Sequence, residues 1–269
     1  MAFSAALLLS VVPPLQGQRG PVRFEASPRL KIQRPGGWRA VHSGIELRKV
    51  LLERSDPDQE IELVLVRVDS RRVAPRVLRA VDFDLKGSDV KTFAEKSRAV
   101  VAINASYFDE KGNALGFLKT RSGGHLQISN SSLFTGVFGL KNSLPFIVHR
   151  DGFVPGSADE ALQAGPLLIS KEKAVNVTRG AGRQSRRSLI GIDKDNRIIL
   201  AVTSNLLGGL TWVELQEFFG SPKWQAQVVD LLNLDGGGSA QLYVKGPRTE
   251  EHVPGSTAVP VALGFFIGD

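Results

Sequence analysis

Glycine, proline, asparagine and aspartate cut this chain into short apolar runs between residues 34 and 267, and few of those runs carry a helical period. Runs rich in Val and Ile suit a pleated surface, while the breakers between them favour turns. Strands are therefore expected at 61–68, 76–83, 99–103, 228–234, 243–245 and 259–267. Hairpins are expected within 134–148 across Asn142-Ser143 and within 189–202 across Lys194-Asp195-Asn196. Two segments read as helices. One opens near Ser88, a candidate N-cap, with Val90, Phe93 and Ala94 on one face; the other opens at Thr211-Trp212-Val213-Glu214, which fits a capping box, and stops at Gly220-Ser221-Pro222. Strands outnumber helices and the helices are not interleaved with them, so the expectation is an α+β fold: a mixed, largely antiparallel sheet with a few covering helices, in a single domain.

The 269 residues, 42% of them hydrophobic, can supply a substantial core. Neither a repeat of fixed period nor a Ser/Gly linker divides the chain. The expected organisation is a signal-like or disordered segment at 1–20, a β-rich extension at 21–59 and the main domain at 60–269. The apolar stretch 2–12, followed by Pro13-Pro14 and a small polar run, resembles a secretory signal without its basic start; a buried first strand is the other reading. The first reading places the protein outside the cytoplasm: secreted, periplasmic or at the cell surface. No run is long and apolar enough for a membrane-spanning helix, so no transmembrane anchor is expected.

With 34 Lys and Arg against 27 Asp and Glu, the formal charge of +7 favours anionic partners. Nucleic acid is disfavoured: the basic residues are scattered, and there is no aromatic RNA-binding motif, zinc finger or long basic helix. The absence of Cys removes thiolate nucleophiles and cysteine zinc sites. Phosphate-loop, zinc-helix and nucleophile-elbow motifs are also missing. Gly180-Ala181-Gly182 precedes a strand where a dinucleotide fingerprint should follow one, and Asp193-Lys194-Asp195 has Ile198 where a calcium loop needs glycine. No cofactor or metal is called for.

What remains is a set of polar and glycine residues at expected strand ends. Asp235-Gly236-Gly237-Gly238-Ser239 follows an apolar strand; consecutive glycines let backbone amides approach a ligand and form a nest suited to phosphate oxygens. A sharp hairpin whose Asp caps its own turn is equally consistent with these residues. Asn104 to Asp109, Gln163-Ala164-Gly165-Pro166 and Arg186-Arg187-Ser188 share the same placement.

In this order the four segments resemble the phosphodiester glycosidase family, which includes the enzyme uncovering mannose 6-phosphate on lysosomal hydrolases and many bacterial exopolysaccharide-associated homologues. The resemblance rests on Asn104-x-x-Tyr107-Phe108, Gln163-Ala-Gly-Pro166, Arg187-Ser-x-x-Gly191 and Asn233-Leu-Asp-Gly-Gly-Gly-Ser239, the last being the most specific. It covers roughly residues 60–267. Ala105 and Ser106 stand where the family often has glycines, and Arg186 where a proline commonly precedes the arginine.

The resemblance implies a hydrolase that cleaves between a sugar's anomeric carbon and a phosphodiester, with a carbohydrate or sugar-phosphate as substrate. On that basis Asp235, Arg187 and Asn104 are the candidate catalytic residues. Gln163, Gly165, Gly236, Gly237, Gly238, Ser239 and Asp109 are the candidate substrate-binding residues. Arg187 is assigned to the phosphate, because a guanidinium fork matches two phosphate oxygens and keeps its proton. The rival expectation is a non-catalytic module that binds phosphorylated or acidic cell-surface glycan.

Overall fold

A computed structural model describes residues 30–55, 58–178, 180–222 and 226–268. The signal-like reading of 1–20 falls outside the described residues. Among those described, three sheets are present, and every strand pairing within them is antiparallel. The nine-stranded sheet runs in the order Leu30–Arg34, Ile45–Ser55, Asp58–Val68, Ile198–Thr203, Ser188–Ile192, Asp230–Asn233, Leu167–Ser170 and Lys173–Ala174, with Arg39–His42 added on Ile45–Ser55. A five-stranded sheet comprises Leu144–His149, Gly136–Lys141, Glu160–Ala164, Leu118–Thr120 and Gly123–His125. The third comprises Glu250–Val253, Leu242–Lys245, Val101–Asn104, Val261–Ile267 and Val73–Arg79. The fold class is the α+β arrangement expected.

The middle strands of the large sheet are apolar at consecutive positions because both of their faces are covered. Val64, Val66, Ile190, Leu200 and Leu232 point into a core shared with Phe138 and Leu162 of the second sheet and Ile103, Leu242 and Phe265 of the third. Their chain neighbours Leu63, Leu65, Leu189, Ile199 and Leu231 point the other way, onto Leu215, Phe218 and Phe219 of helix Trp212–Gly220, here α2. The two-residue period of a strand thus feeds two cores from one sheet. Helix Val90–Ser97, α1, covers the third sheet through Val90, Phe93 and Ala94, packed on Ala102 and Ala262.

Local signals account for most element ends. The capping box of α2 is complete: Glu214 N–H donates to Thr211 Oγ1 at 3.1 Å, and Thr211 N–H donates to Glu214 Oε2 at 2.8 Å. The hairpin turn at Asn142-Ser143 holds both residues at positive φ, as a tight turn matched to strand twist requires. Two expectations need correction. The N-cap of α1 is Asp89, whose Oδ1 accepts from Thr92 N–H at 3.0 Å, because Ser88 is drawn into a backbone bridge with Val259. The run at 76–83 is a strand only as far as Arg79; Ala80–Phe83 is a single 3₁₀ turn, closed by Asp84 in the left-handed region.

Candidate functional site

Sheet register explains why distant segments meet. Ser188–Ile192 pairs antiparallel with Asp230–Asn233, placing Leu189 opposite Asn233, so Arg187 and Asp235 emerge at the same end. Leu167 lies opposite Leu232 on the far side of that strand, which brings Gly165 and Pro166 to the same end as well. The strand Val101–Asn104 delivers Tyr107 there from the third sheet: Asp235 N–H donates to the Ala105 carbonyl at 3.0 Å, and Asn104 Nδ2 donates to the Asp235 carbonyl at 2.7 Å.

At this junction lies a cavity of about 720 Å³. Arg187, Asp235, Gly236 and Gly237 line it, together with Tyr107, Thr135, His149, Arg183, Ser185 and Trp212. Four sequence candidates therefore share one space. Others support its walls without lining it. Asn104 is fully buried; its Oδ1 accepts from Ser188 Oγ at 2.6 Å and from Gln241 N–H at 3.1 Å, so the side chain ties three strand ends together. Gln163 is likewise buried and fully engaged: Oε1 accepts from the Phe117 and Ser129 amides, and Nε2 donates to the Ser129 and Phe134 carbonyls. Gly165 is needed for close approach, since a Cβ there would stand 1.9 Å from the Leu133 carbonyl oxygen. Asp109 lies elsewhere, along a separate cavity of about 540 Å³, where its carboxylate closes a turn on the Lys111 and Asn113 amides.

The glycine turn is a short 3₁₀ element, Gly237–Ser239, entered through Gly237 at φ +60°. Its amides are largely committed. Gly236 N–H donates to Asp235 Oδ1 at 2.9 Å, and Gly237 N–H donates to the Arg186 carbonyl at 2.9 Å. Gly238 packs against Ser256 and Thr257, whose amides both donate to its carbonyl. Ser239 is buried behind the turn and hydrogen-bonds the Asp235 carboxylate. Asp235, Gly236 and Gly237 are the residues of the turn that line the cavity.

Arg187 is only 6% exposed. Its Nε donates to the Leu210 carbonyl at 2.8 Å, its Nη2 donates to the Arg183 carbonyl, and its Cζ lies 4.9 Å from the centre of the Trp212 ring. Among the described residues no carboxylate forms a salt bridge with it. Burial pulls its pKa down to about 10, and nearby Arg183 adds to the fall, so it remains a cation at neutral pH. Asp235 moves the opposite way: burial raises its pKa, against the lowering effect of Ser239 and the Gly236 amide. Tyr107 stands between them electrostatically. Burial and Asp235 push its phenol well above the usual range, while Arg187 pulls it back, so the hydroxyl stays protonated. Among the described residues no group of three or more His, Cys, Asp or Glu is placed to hold a metal ion.

A buried, unpaired arginine, a desolvated aspartate and a glycine turn at one sheet end are what the strand-end motifs build. A profile of the phosphodiester glycosidase family matches residues 97–267. The chain belongs to that family. Its fold is similar to the catalytic domain of zebrafish N-acetylglucosamine-1-phosphodiester alpha-N-acetylglucosaminidase, auto-inhibited by its pro-peptide, with a TM-score of 0.62 and 16% identity over 90% of this chain and 88% of that one. It is also similar to a hypothetical protein from Synechocystis, with a TM-score of 0.61 and 18% identity over 87% of this chain. The chain spans 64% of the Synechocystis protein's length. No curated protein sequence matches it. Among the described residues no helix is long and apolar enough to cross a membrane.

Sequence reasoning left Trp212, Arg183 and His149 out of this cavity, and named Tyr107 and Asn233 only as parts of motifs. The capping box gave a clue to Trp212, because a helix N-terminus beside a strand end places its first-turn side chain at the same rim. Arg183 sits in the basic segment at 178–187, which reads as a loop by length. No local signal marked His149.

Proposed function

We propose that the cavity hydrolyses the bond between the anomeric carbon of a sugar and a phosphodiester within a glycan or glycoconjugate. The observation carrying this reading is Arg187: among the described residues, a buried guanidinium without a carboxylate salt-bridge partner, beside Asp235, the one carboxylate residue that lines that cavity. Holding a buried cation in this way has a cost. A displacement of its pKa from 12.5 to about 10 corresponds to roughly 3 kcal/mol. An anion entering the cavity recovers that cost, and the planar fork fits two phosphate oxygens.

The chemistry needs less from the protein than an ordinary glycoside does. Two carboxylates are usual because an alkoxide leaving group must be protonated. A phosphate ester leaves as a stabilised anion, so Arg187 can offset its developing charge and one carboxylate suffices. Asp235 opposes the positive charge forming at the anomeric carbon and accepts the proton of the incoming water. Water oxygen bonds to that carbon, the carbon–oxygen bond to phosphate breaks, and its electron pair leaves with the phosphate. Free sugar and a phosphate monoester result. The apolar stretch 2–12 supports an exported protein, which suits a glycan substrate at the cell surface or in the periplasm.

The test is release of free sugar and phosphate monoester from a panel of glycosyl phosphodiesters. Asp235→Asn is expected to lower kcat by roughly a thousandfold or more while retaining substrate. Arg187→Ala is expected to lower kcat/KM by about a hundredfold to a thousandfold. Saturable binding by the wild type, with every ligand recovered intact, would replace the hydrolase with a glycan-binding module.

A further inference from the structure

The two charged walls of the cavity are joined by a residue that does not line it. Asn233 ends the central strand Asp230–Asn233 and is 1% exposed. Its Oδ1 accepts from Trp212 Nε1 at 3.3 Å. Its Nδ2 has two hydrogens to share among three acceptors within reach, the Tyr107 hydroxyl at 2.9 Å, the Gly165 carbonyl at 2.9 Å and the Leu234 carbonyl at 2.7 Å. The Tyr107 hydroxyl in turn donates to the same Gly165 carbonyl at 2.8 Å. Both ends of one buried amide are therefore occupied, each by an aromatic side chain that lines the cavity.

Those two rings are the ones that touch or sense the charged groups. Trp212 lies against the Arg187 guanidinium, and Gly180 packs closely on the same indole, since a Cβ there would come within 3.3 Å of it. Tyr107 packs on Phe134 with ring centres 5.0 Å apart and interacts electrostatically with both Asp235 and Arg187. The indole has one polar atom, the N–H, and that atom is held by Asn233. The phenol has one, and it is held by Asn233 and Gly165.

Resting on the hydrolase reading, we infer that Asn233 is a positioning residue: its side-chain amide sets the Trp212 and Tyr107 rings in one register, so that Arg187 meets the phosphate while Asp235 meets the sugar. An amide is the side chain this role requires. It offers an acceptor to an indole, which can only donate, and two hydrogens to the Tyr107 hydroxyl and the carbonyls beside it. A carboxylate at 233 would face the Gly165 and Leu234 carbonyls with no hydrogen to give.

Removing the groups that Asn233 grips tests this without emptying the buried position. Tyr107→Phe keeps the ring against Phe134 and deletes the hydroxyl, and Trp212→Phe keeps an aromatic face on Arg187 and deletes the N–H. The first readout is spectroscopic and independent of turnover. In a ¹⁵N-labelled protein with 3 Trp residues, Tyr107→Phe is expected to shift the Trp212 indole N–H and the Arg187 Nε–H signals, and to weaken binding of inorganic phosphate. The second readout is kinetic. Each variant is expected to lower kcat by roughly tenfold with KM within about twofold, and the double variant to lose less than the product of the two. Unmoved Trp212 and Arg187 signals in a folded Tyr107→Phe protein would overturn the inference, as would losses that multiply. Signals that shift as expected in Tyr107→Phe, beside a wild type that releases no sugar, would sink the hydrolase reading and leave the register of the two rings established.

Discussion

Of the four arginines buried among the described residues, Arg54 at 1% exposure and Arg187 at 6% are held in opposite ways. Arg54 is saturated. Its Nε and Nη2 donate to Glu214 Oε1 and Oε2, both at 2.7 Å, its Nη2 also reaches the Gly209 carbonyl at 2.8 Å, and its Nη1 reaches Gln59 at 2.7 Å. Glu214 is pushed up by burial but held below its usual value by Arg54 and Thr211. Arg187 has two backbone carbonyls and the face of an indole, and among the described residues no carboxylate forms a salt bridge with it, Glu214 acting on it only electrostatically. A buried cation held by a carboxylate is part of the frame, whereas one without a contacting carboxylate beside an open cavity is where the proposed reading seats an anion. The two are also mechanically linked. Glu214 belongs to the first turn of α2, and that turn carries Trp212 onto Arg187.

The comparison breaks most visibly in stability. Arg54→Ala strands a buried carboxylate and is expected to cost about 3–5 kcal/mol in urea unfolding. Arg187→Ala strands none and relieves the burial of a cation, so its stability is expected to fall by no more than about 1 kcal/mol, or to rise. Equal losses would mean that Arg187 is a second structural clamp.

A smaller effect separates the same two residues by ligand. Phosphate held at a hundred times its dissociation constant is expected to stabilise the wild type by about 2.7 kcal/mol. The stabilisation should vanish in Arg187→Ala. It should persist in Arg54→Lys, measured as the midpoint of thermal unfolding with and without phosphate. Loss in both variants would place the anion elsewhere.

The smallest expected effect is a pH dependence. Burial raises the folded-state pKa of Asp235 above 3.8, so the folded chain holds that proton more tightly than the unfolded chain does. Its contribution to stability is complete below the unfolded value and is lost as pH rises through the raised one. Asp235→Asn does not titrate, so its stability relative to the wild type should climb across that window and then level off. Arg187, with its pKa near 10, should add no slope there, and the difference between Arg187→Ala and wild type should be flat over the same range. A falling Asp235→Asn curve would contradict the burial argument.

Local chemistry made much of the fold legible. The capping box at Thr211 and the turn at Asn142-Ser143 are decided by residues within a few positions of one another, and both are present as read. The N-cap of α1 was not decidable in that way, because Ser88 and Asp89 are adjacent and both qualify; a bridge to Val259 selects between them. The site divides along the same line. Arg187 and Asp235 announce themselves by charge and position at strand ends. Asn104 and Gln163 have the same polar signature in the sequence, and only three-dimensional burial shows every hydrogen-bonding atom of Gln163 spent on backbone and the Asn104 amide spent on strand ends. The clamp between Arg54 and Glu214 spans 160 residues, and the join of Trp212 to Tyr107 through Asn233 crosses three segments. Neither has a local signature, since what selects those residues is the register of a sheet.

The central claim is that Arg187 and Asp235 divide a glycosyl phosphodiester between them so that the carbon–oxygen bond is the one that breaks. Hydrolysis in heavy-oxygen water, with both products read by mass spectrometry, tests it directly. The account predicts heavy oxygen in the released sugar and an unlabelled phosphate monoester, both formed at least about a thousandfold more slowly by Asp235→Asn. Heavy oxygen in the phosphate would mean that the phosphorus–oxygen bond is cleaved, and would contradict the assignment of both residues.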